Sequence, residues 1–334
     1  YGKLEGTPYL EVPIHLIGHS RGASVISRLA YKLGISGIWV DHFTTLDPQP
    51  LTLCGDWEVK IYPNILFADN NYRSYSNHRG EATPPYGESV DNTYERKLNG
   101  VVTDSVSLNC GGWGDATAHE LVHTYYHGTI DTNIDCVDQR HVQDEWYNDD
   151  YPRKETGYYF SRIGGGDRHD TASSGLHFRL SGTSNNRADF GTSTTSPAWP
   201  NVTFKPFADQ SGYSDYEVKV GKKVVFTYYY QDADSDNLDI VFALDNDTNP
   251  FNDSDNKYYK KIGSPQDKTK KRGTISAKTT FKWIPSDADI GTHYVQIKAT
   301  DADGHVRYDY LRNKSLTISQ TDIKASPKTL TLKT

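Results

Sequence analysis

The sequence predicts a mostly parallel α/β sheet in the first half of the chain and an all-β sandwich in the second half. Over residues 1–165, apolar runs alternate with helical pieces, which is typical of a parallel sheet. Over residues 205–320, short runs rich in β-branched and aromatic residues are separated by Asp, Gly and Pro turns, as in a sandwich. Residues 166–204 are rich in Gly, Ser, Thr and Asn and are predicted to be a linker, and residues 321–334 a tail or the start of a further module.

Composition restricts the classes of function. The chain has 334 residues, enough for two domains, and its net charge of -7 argues against a nucleic-acid partner. No apolar run approaches the roughly 18 residues that a membrane span needs. Three cysteines allow one disulfide and a free thiol, and four N-x-S/T sequons are present. We therefore expect a secreted or cell-surface protein without a transmembrane segment.

The first motif is Gly18-His19-Ser20-Arg21-Gly22, which follows a predicted strand at Ile14–Ile17 and precedes a predicted helix. A G-x-S-x-G sequence between a strand and a helix is typical of a nucleophile elbow, a strained turn where side chains at the glycine positions would collide with backbone. The N-terminus of the following helix directs positive dipole toward the serine. We expect Ser20 to be a nucleophile and the backbone N–H of Arg21 to stabilise an oxyanion. The helical spacing predicts a core-facing stripe of Val25, Ile26, Leu29 and Leu33.

A serine nucleophile needs a base and an orienting acid. Predicted strands at Trp39–Leu46 and Val59–Ala68 are each followed by an aspartate, Asp47 and Asp69. Since the carboxyl ends of parallel strands share one edge of the sheet, either carboxylate would lie near the serine. Asp47 is preferred because Pro48 ends its strand, and Asp69 is the alternative.

Three histidines are candidates for the base. They lie on a helix predicted from near Ala118 to Ile130, at positions 119, 123 and 127. A base is expected on a loop or at a helix start, and the residues alone leave His119, His123 and His127 as alternatives.

These motifs together resemble the pancreatic-lipase group of α/β-hydrolases. The resemblance rests on Gly-His-Ser-Arg-Gly-Ala, on Leu-Asp-Pro with its Asp 27 residues after the serine, and on His119 followed by Tyr126, Thr129 and Ile130. It covers residues 12–50 and 117–131 and implies a carboxylic-ester hydrolase that acts on an ester or lipid through Ser20, His119 and Asp47, without a cofactor. The same resemblance implies that N-terminal sheet strands and the second oxyanion donor are missing here. We expect them in a further segment of the same precursor, docked as part of it or as a separate chain.

Two other functions use the same residues. His119-Glu120-Leu121-Val122-His123 matches H-E-x-x-H, in which two histidines bind zinc and the glutamate is the general base of a metallopeptidase. His127 or Glu145 would then be the third ligand. The zinc interpretation leaves the Ser20 elbow unexplained. A non-catalytic structural or surface-assembly protein built on a hydrolase-like fold is the other alternative.

Acidic loops in the second half predict a calcium site at one of two places, residues 232–239 or residues 245–250. Their carboxylates recur at alternate positions and would repel one another unless a cation lay among them, and Ca²⁺ takes six to eight oxygen ligands. The expected ligands are Asp232, Asp234, Asp236, Asp239, Asp245 and Asp247.

Overall fold

The structure is a computed structural model with two units, one at each end of the chain. It describes residues 3–4, 7–74, 87–102, 117–149, 152–153, 156–160, 187–191, 199–205, 216–232, 237–252, 259–263, 266–269 and 277–321. The strands of the N-terminal unit are β1 (Lys3–Leu4), β2 (Thr7–Pro8), β3 (His15–His19), β4 (Val40–Leu46), β5 (Ile65–Tyr72), β6 (Tyr94–Lys97), β7 (Cys136–Val137) and β8 (Arg140–His141). Its helices are α1 (Gly22–Ile35) and α2 (Ala118–Ile130).

Strands β3 to β6 form a four-stranded sheet in chain order, and every pairing in it is parallel. Two of the strands, β4 and β5, are buried along their whole length. The helices lie on opposite faces, because neighbouring residues of a strand point to opposite sides. Phe43 of β4 packs in the cluster that contains Ile26 of α1, whereas the Thr44 hydroxyl reaches the Tyr126 hydroxyl of α2. The parallel sheet is therefore covered by one helix on each face.

The expected α/β-hydrolase fold of the pancreatic-lipase type is wrong for this chain. The described residues contain far more strand than helix, with two α-helices, and their largest sheet is in the C-terminal unit. A doubly wound sheet places a helix in each crossover between parallel strands. The β4–β5 crossover, residues 47–64, is described in full and contains only the 3-10 turn Thr52–Cys54. The resemblance therefore holds for short motifs and not for the fold.

The prediction for the core-facing stripe of α1 is right for Ile26, which is buried, and for Leu33, which packs partly buried against the same cluster, and it is wrong for the other two residues. Val25 and Leu29 are 67% and 43% exposed, and small residues such as Ala23, Ser27 and Ala30 form the face against the sheet. Ile17, on β3, is 42% exposed as well. Within the described residues β3 is an edge strand whose outer side pairs with nothing. The expectation that further strands lie beside β3 stays a prediction.

The C-terminal unit is a β-sandwich, which confirms the second half of the predicted fold class. One sheet has the order β15–β11–β9, and both of its pairings are antiparallel. The other sheet has the order β10–β17–β16–β12–β13, and β14 also pairs with β12. The strands are β9 (Asn201–Lys205), β10 (Tyr216–Lys219), β11 (Val224–Gln231), β12 (Asn237–Asp245), β13 (Tyr259–Lys261), β14 (Gln266–Thr269), β15 (Ala277–Trp283), β16 (Gly291–Thr300) and β17 (Val306–Ser319).

One apolar core lies between the two sheets of the sandwich. Phe226 and Phe281 from the smaller sheet stack with Phe242 from the larger one, and all three are buried. The first residues of this core come from β9, which pairs with β11. The sandwich therefore begins at Asn201, within the predicted linker.

The two units touch through buried polar contacts. Arg307 of β17 is 1% exposed; it pairs with Asp41 of β4 and donates to the Leu10 carbonyl at 2.9 Å. The indole N–H of Trp39 donates to the Trp199 carbonyl at 2.7 Å, and Trp199 stacks on His305. These contacts fix the sandwich against β4, the central strand that leads to Asp47.

Candidate active site

Ser20 lies at the carboxyl end of β3 in a strained backbone conformation. Its φ is 55°, a left-handed value that non-glycine residues adopt at a cost of about 1–3 kcal/mol and that concentrates at functional sites. Its N–H donates to the Leu46 carbonyl at 2.9 Å, which holds the turn against the end of β4. A Cβ at Gly18 would lie 2.5 Å from the Gly22 carbonyl oxygen, whereas a Cβ at Gly22 would meet nothing within 4 Å. The predicted elbow has formed, and only its first glycine is required for space.

Helix α1 begins directly after this turn. Within the described residues, the backbone N–H groups of Arg21 and Gly22 donate to no backbone carbonyl. Unsatisfied N–H groups and positive dipole at a helix N-terminus stabilise a negative charge. The Arg21 guanidinium points away to Asp56, with contacts of 2.7 and 2.6 Å to its carboxylate. This contact holds the pKa of the Asp56 carboxyl at about 2. The backbone N–H of Arg21 therefore lies at the N-terminus of α1, directly after Ser20, and its role toward an oxyanion stays a prediction.

Asp47 follows β4 and is fully buried, with a φ of 45°. Its Oδ1 accepts hydrogen bonds from the backbone N–H of Arg73 at 2.7 Å and of Gly87 at 3.0 Å. Gly87 approaches so closely that a Cβ there would lie 2.5 Å from the same oxygen. The other carboxylate oxygen of Asp47, Oδ2, lies 2.7 Å from Nδ1 of His119. The carboxylate is therefore held by two backbone donors on one oxygen and an imidazole on the other.

His119 lies in the first turn of α2, whose start is fixed by a capping box between Thr117 and Glu120. The residue is 8% exposed, and its contact with Asp47 joins residues 72 positions apart. Since Asp47 accepts the Nδ1 proton, Nε2 is the nitrogen left to act as a base. The described residues include no hydrogen bond between Nε2 and the Ser20 hydroxyl. Such contacts are often long without substrate and tighten when it binds.

The alternative acid, Asp69, belongs to a different cluster and does not contact His119. Its Oδ1 lies 2.8 Å from Nε2 of His42 and accepts from the Thr44 hydroxyl at 2.5 Å. The His42 ring stacks on His15 at 3.8 Å between centroids. Burial raises the pKa of Asp69 to about 6. It lowers the pKa of His42 to about 3, and it also lowers the pKa of His15. This buried network joins β3, β4 and β5 and has a structural role.

This network makes stability depend on pH. Because the pKa values of His15 and His42 are depressed in the folded state, their contribution is present above about pH 6.5 and is lost on acidification toward pH 3. The raised pKa of Asp69 acts in the opposite direction between about pH 4 and 6. The combined effect of the two histidines on stability exceeds the opposite effect of the one aspartate, so the free energy of unfolding should fall as the pH is lowered from 6.5 to 4. Denaturant titration at each pH should show a shallower fall in His42→Gln than in the parent. An equal or steeper fall in the variant would contradict this assignment.

The zinc interpretation finds no support in the described residues. No group of three His, Cys, Asp or Glu side chains is placed there to hold a metal ion. The Nδ1 of His119 is taken by Asp47, and Nε2 of His123 lies 3.2 Å from Asp138. Glu120, the base required by H-E-x-x-H, accepts the Thr117 backbone N–H at 3.0 Å. His123 is likewise a poor alternative to His119, since it points to an exposed carboxylate.

The two acidic loops predicted as alternative calcium sites lie at opposite ends of β12. Asp239 and Asp245 lie six residues apart on β12, which separates them by about 20 Å. The Asp245 carboxylate accepts from the Tyr310 hydroxyl at 2.7 Å, and Asp247 accepts from Asn249 and Asn252. Asp232 is buried, and Asp234 and Asp236 lie outside the described residues. Calcium at the loop of residues 232–236 stays a prediction.

Two further observations bear on the class of protein. Cys136 is disulfide-bonded, and Cys54 is an exposed free thiol. In the described part of the chain, neither helix has the length and hydropathy needed to cross a bilayer.

Comparison with known proteins identifies no family. No family model matches the chain, and no curated protein does. Among solved structures it is similar to the PKD domain of an M14-like peptidase from a Thermoplasmatales archaeon, at 17% identity over 36% of this chain and 94% of that one, with a TM-score of 0.22. It is also similar to fibronectin(III)-like modules of CbhA from Clostridium thermocellum, at 15% identity over 39% and 51% of the chains, with a TM-score of 0.22. A PapD-like domain of human CEP192 matches at 7% identity over 42% and 99%, with a TM-score of 0.23. The two-sheet topology of the C-terminal unit is that of a β-sandwich.

Proposed function

We propose that this protein is a serine hydrolase acting on carboxylic esters, with Ser20 as nucleophile, His119 as base and Asp47 as the orienting acid. The proposal rests on one observation above all: the buried contact of 2.7 Å between Asp47 and His119. The strained turn of Ser20 lies beside it, because the Ser20 N–H bonds to the residue that precedes Asp47. An acid–imidazole pair next to a strained serine is the arrangement that activates a hydroxyl.

The chemistry follows from these positions. The Ser20 oxygen attacks the acyl carbon while Nε2 of His119 takes its proton, and Asp47 holds Nδ1–H and stabilises the imidazolium. The backbone N–H of Arg21 donates to the developing oxyanion. His119 then returns the proton to the leaving alcohol, and an acyl-enzyme remains. Water, activated by the same nitrogen, releases the acid and restores the serine.

The test is covalent labelling with a fluorophosphonate probe. We expect stoichiometric labelling of the parent protein at Ser20 and its complete loss in Ser20→Ala. Ser24→Ala is a matched control, because Ser24 lies one turn later on α1 with a buried hydroxyl that has no partner. Removing such a hydroxyl costs little stability, so this variant should label like the parent. A folded parent that stays unlabelled, and that hydrolyses no short-chain p-nitrophenyl ester, would leave a structural or surface-assembly role.

A secreted or cell-surface location is part of the proposal. The disulfide at Cys136 supports it, since disulfides persist mainly in oxidising compartments. In this arrangement the β-sandwich would serve attachment or the approach to substrate.

A further inference from the structure

His19, the residue between Gly18 and the proposed nucleophile, contacts the helix that carries the proposed base. Its Nε2 lies 2.9 Å from the main-chain carbonyl oxygen of His119. A carbonyl oxygen only accepts, so Nε2 carries the proton and donates it. The side chain therefore links the elbow to the first turn of α2.

Together with two other hydrogen bonds, this contact links the elbow, the end of β4 and the start of α2 in a closed ring. From the elbow, the Ser20 N–H reaches the Leu46 carbonyl, and the next residue, Asp47, holds the His119 ring. The backbone of His119 is then tied back to His19, the neighbour of Ser20. The base is thus held at its ring by Asp47 and at its main chain by His19. Because the ring and the main chain of His119 are both held, these contacts restrict the distance between His119 Nε2 and the Ser20 hydroxyl.

The two rings also pack together. The His19 and His119 ring centroids are 4.5 Å apart at an interplanar angle of 39°, and the His123 ring lies 5.6 Å from His19. Burial lowers the pKa of His19, although its hydrogen bond to the carbonyl opposes this. The ring is therefore neutral near pH 7, when the imidazolium of His119 would form beside it. A neutral neighbour avoids the repulsion that a second cation at this distance would cause.

We propose that His19 is a positioning residue, which holds the main chain of His119 against the elbow so that its imidazole meets the Ser20 hydroxyl. This inference rests on the proposed hydrolase function. It assigns His19 no contact with substrate and no proton transfer. Its consequence is that losing the Nε2–H donor should lower the reactivity of the serine without weakening substrate binding.

The test compares four variants by the second-order rate of fluorophosphonate labelling and by kcat and KM on a short-chain p-nitrophenyl ester. His19→Gln keeps an N–H donor near the position of Nε2, and His19→Asn is too short to reach the carbonyl. His19→Phe keeps the ring and removes the donor. His141→Phe, on β8, controls for the histidine-to-phenylalanine change.

We expect His19→Phe and His19→Asn to lower the labelling rate and kcat by about ten-fold or more with KM unchanged, since small misplacements of a catalytic group cost up to about 100-fold. His19→Gln should remain within about three-fold of the parent, and His141→Phe should match the parent. Unfolding midpoints identify the folded variants to be compared. Equal rates in the parent and in either donor-less variant, or a loss in His19→Gln as large as in His19→Asn, would overturn the positioning role alone. An unlabelled parent would overturn the hydrolase proposal itself.

Discussion

Replacing Asp47 with asparagine is expected to lower kcat for ester hydrolysis by about 10⁴-fold. The structure explains why this nearly isosteric change is so harmful. Because Oδ1 accepts two backbone N–H groups, from Arg73 and Gly87, the asparagine must place its carbonyl oxygen there. Its NH₂ group then faces Nδ1 of His119. The histidine can only accept from that group, so its proton moves to Nε2, the nitrogen that should take the proton from Ser20.

The measurement is kcat on a short-chain p-nitrophenyl ester, together with ¹⁵N NMR of the imidazole to identify its tautomer. Asp138→Asn is the matched control, because Asp138 is an exposed carboxylate beside the neighbouring His123. It should retain the parent kcat. If Asp47→Asn kept more than a tenth of the parent kcat, or if its His119 kept the proton on Nδ1, the assigned role of Asp47 would be wrong.

The site was more predictable from sequence than the fold around it. Positions such as Ser20 and Asp47 follow apolar runs, and parallel strands bring their carboxyl ends to one edge whatever the rest of the domain does. His119 was selected among three histidines by the resemblance of its segment, with Tyr126, Thr129 and Ile130 behind it, to the lipase motif. The motifs, however, come from under a fifth of the chain, and a local strand–turn–helix arrangement does not determine how many helices cover a sheet. This is why the α/β-hydrolase fold did not follow from them.

Residues that act through their backbone left no sequence signal. Arg73 and Gly87 hold Asp47 through main-chain N–H groups, and the close approach that leaves no room for a Cβ at position 87 exists only in the folded chain. The role of His19 depends on the position of α2, which lies 100 residues further along the chain. The buried face of α1 was assigned correctly at Ile26 and wrongly at Val25 and Leu29. Close packing on the sheet selected alanine and serine there, and the hydropathy pattern alone predicted Val25 and Leu29 instead.

The acidic loops show what sequence spacing alone does not decide. Alternate aspartates predict calcium at one of the two loops, and β12 keeps Asp239 and Asp245, which belong to different loops, far apart. The turn after Asp245 uses its carboxylates to accept main-chain and amide N–H groups. Aspartates are common in turns for this reason. Sequence spacing without the strand boundaries could not separate these two uses.

The largest effect on stability is expected at the contact between the two units. Arg307 and Asp41 form an ion pair in which both side chains are almost fully buried. Removing one partner of such a pair leaves an uncompensated charge, at a cost of about 3–5 kcal/mol. We therefore expect Arg307→Met to lower the free energy of unfolding by about that amount. Lys60→Ala should leave it unchanged, because the Lys60–Glu58 pair is exposed.

A double variant distinguishes the stability lost through the unpaired charge from the stability lost through poorer packing. Asp41→Asn removes the carboxylate charge but keeps an oxygen that can accept the Ile14 N–H, now 2.8 Å away. Combined with Arg307→Met, it should recover most of the lost stability, since a neutral pair of similar volume is tolerated where a lone charge is not. Denaturant unfolding followed by tryptophan fluorescence measures both variants, and Trp39 and Trp199 at this contact report on it directly. If the double variant were no more stable than Arg307→Met alone, the cost would come from lost packing between the units and not from the unpaired charge.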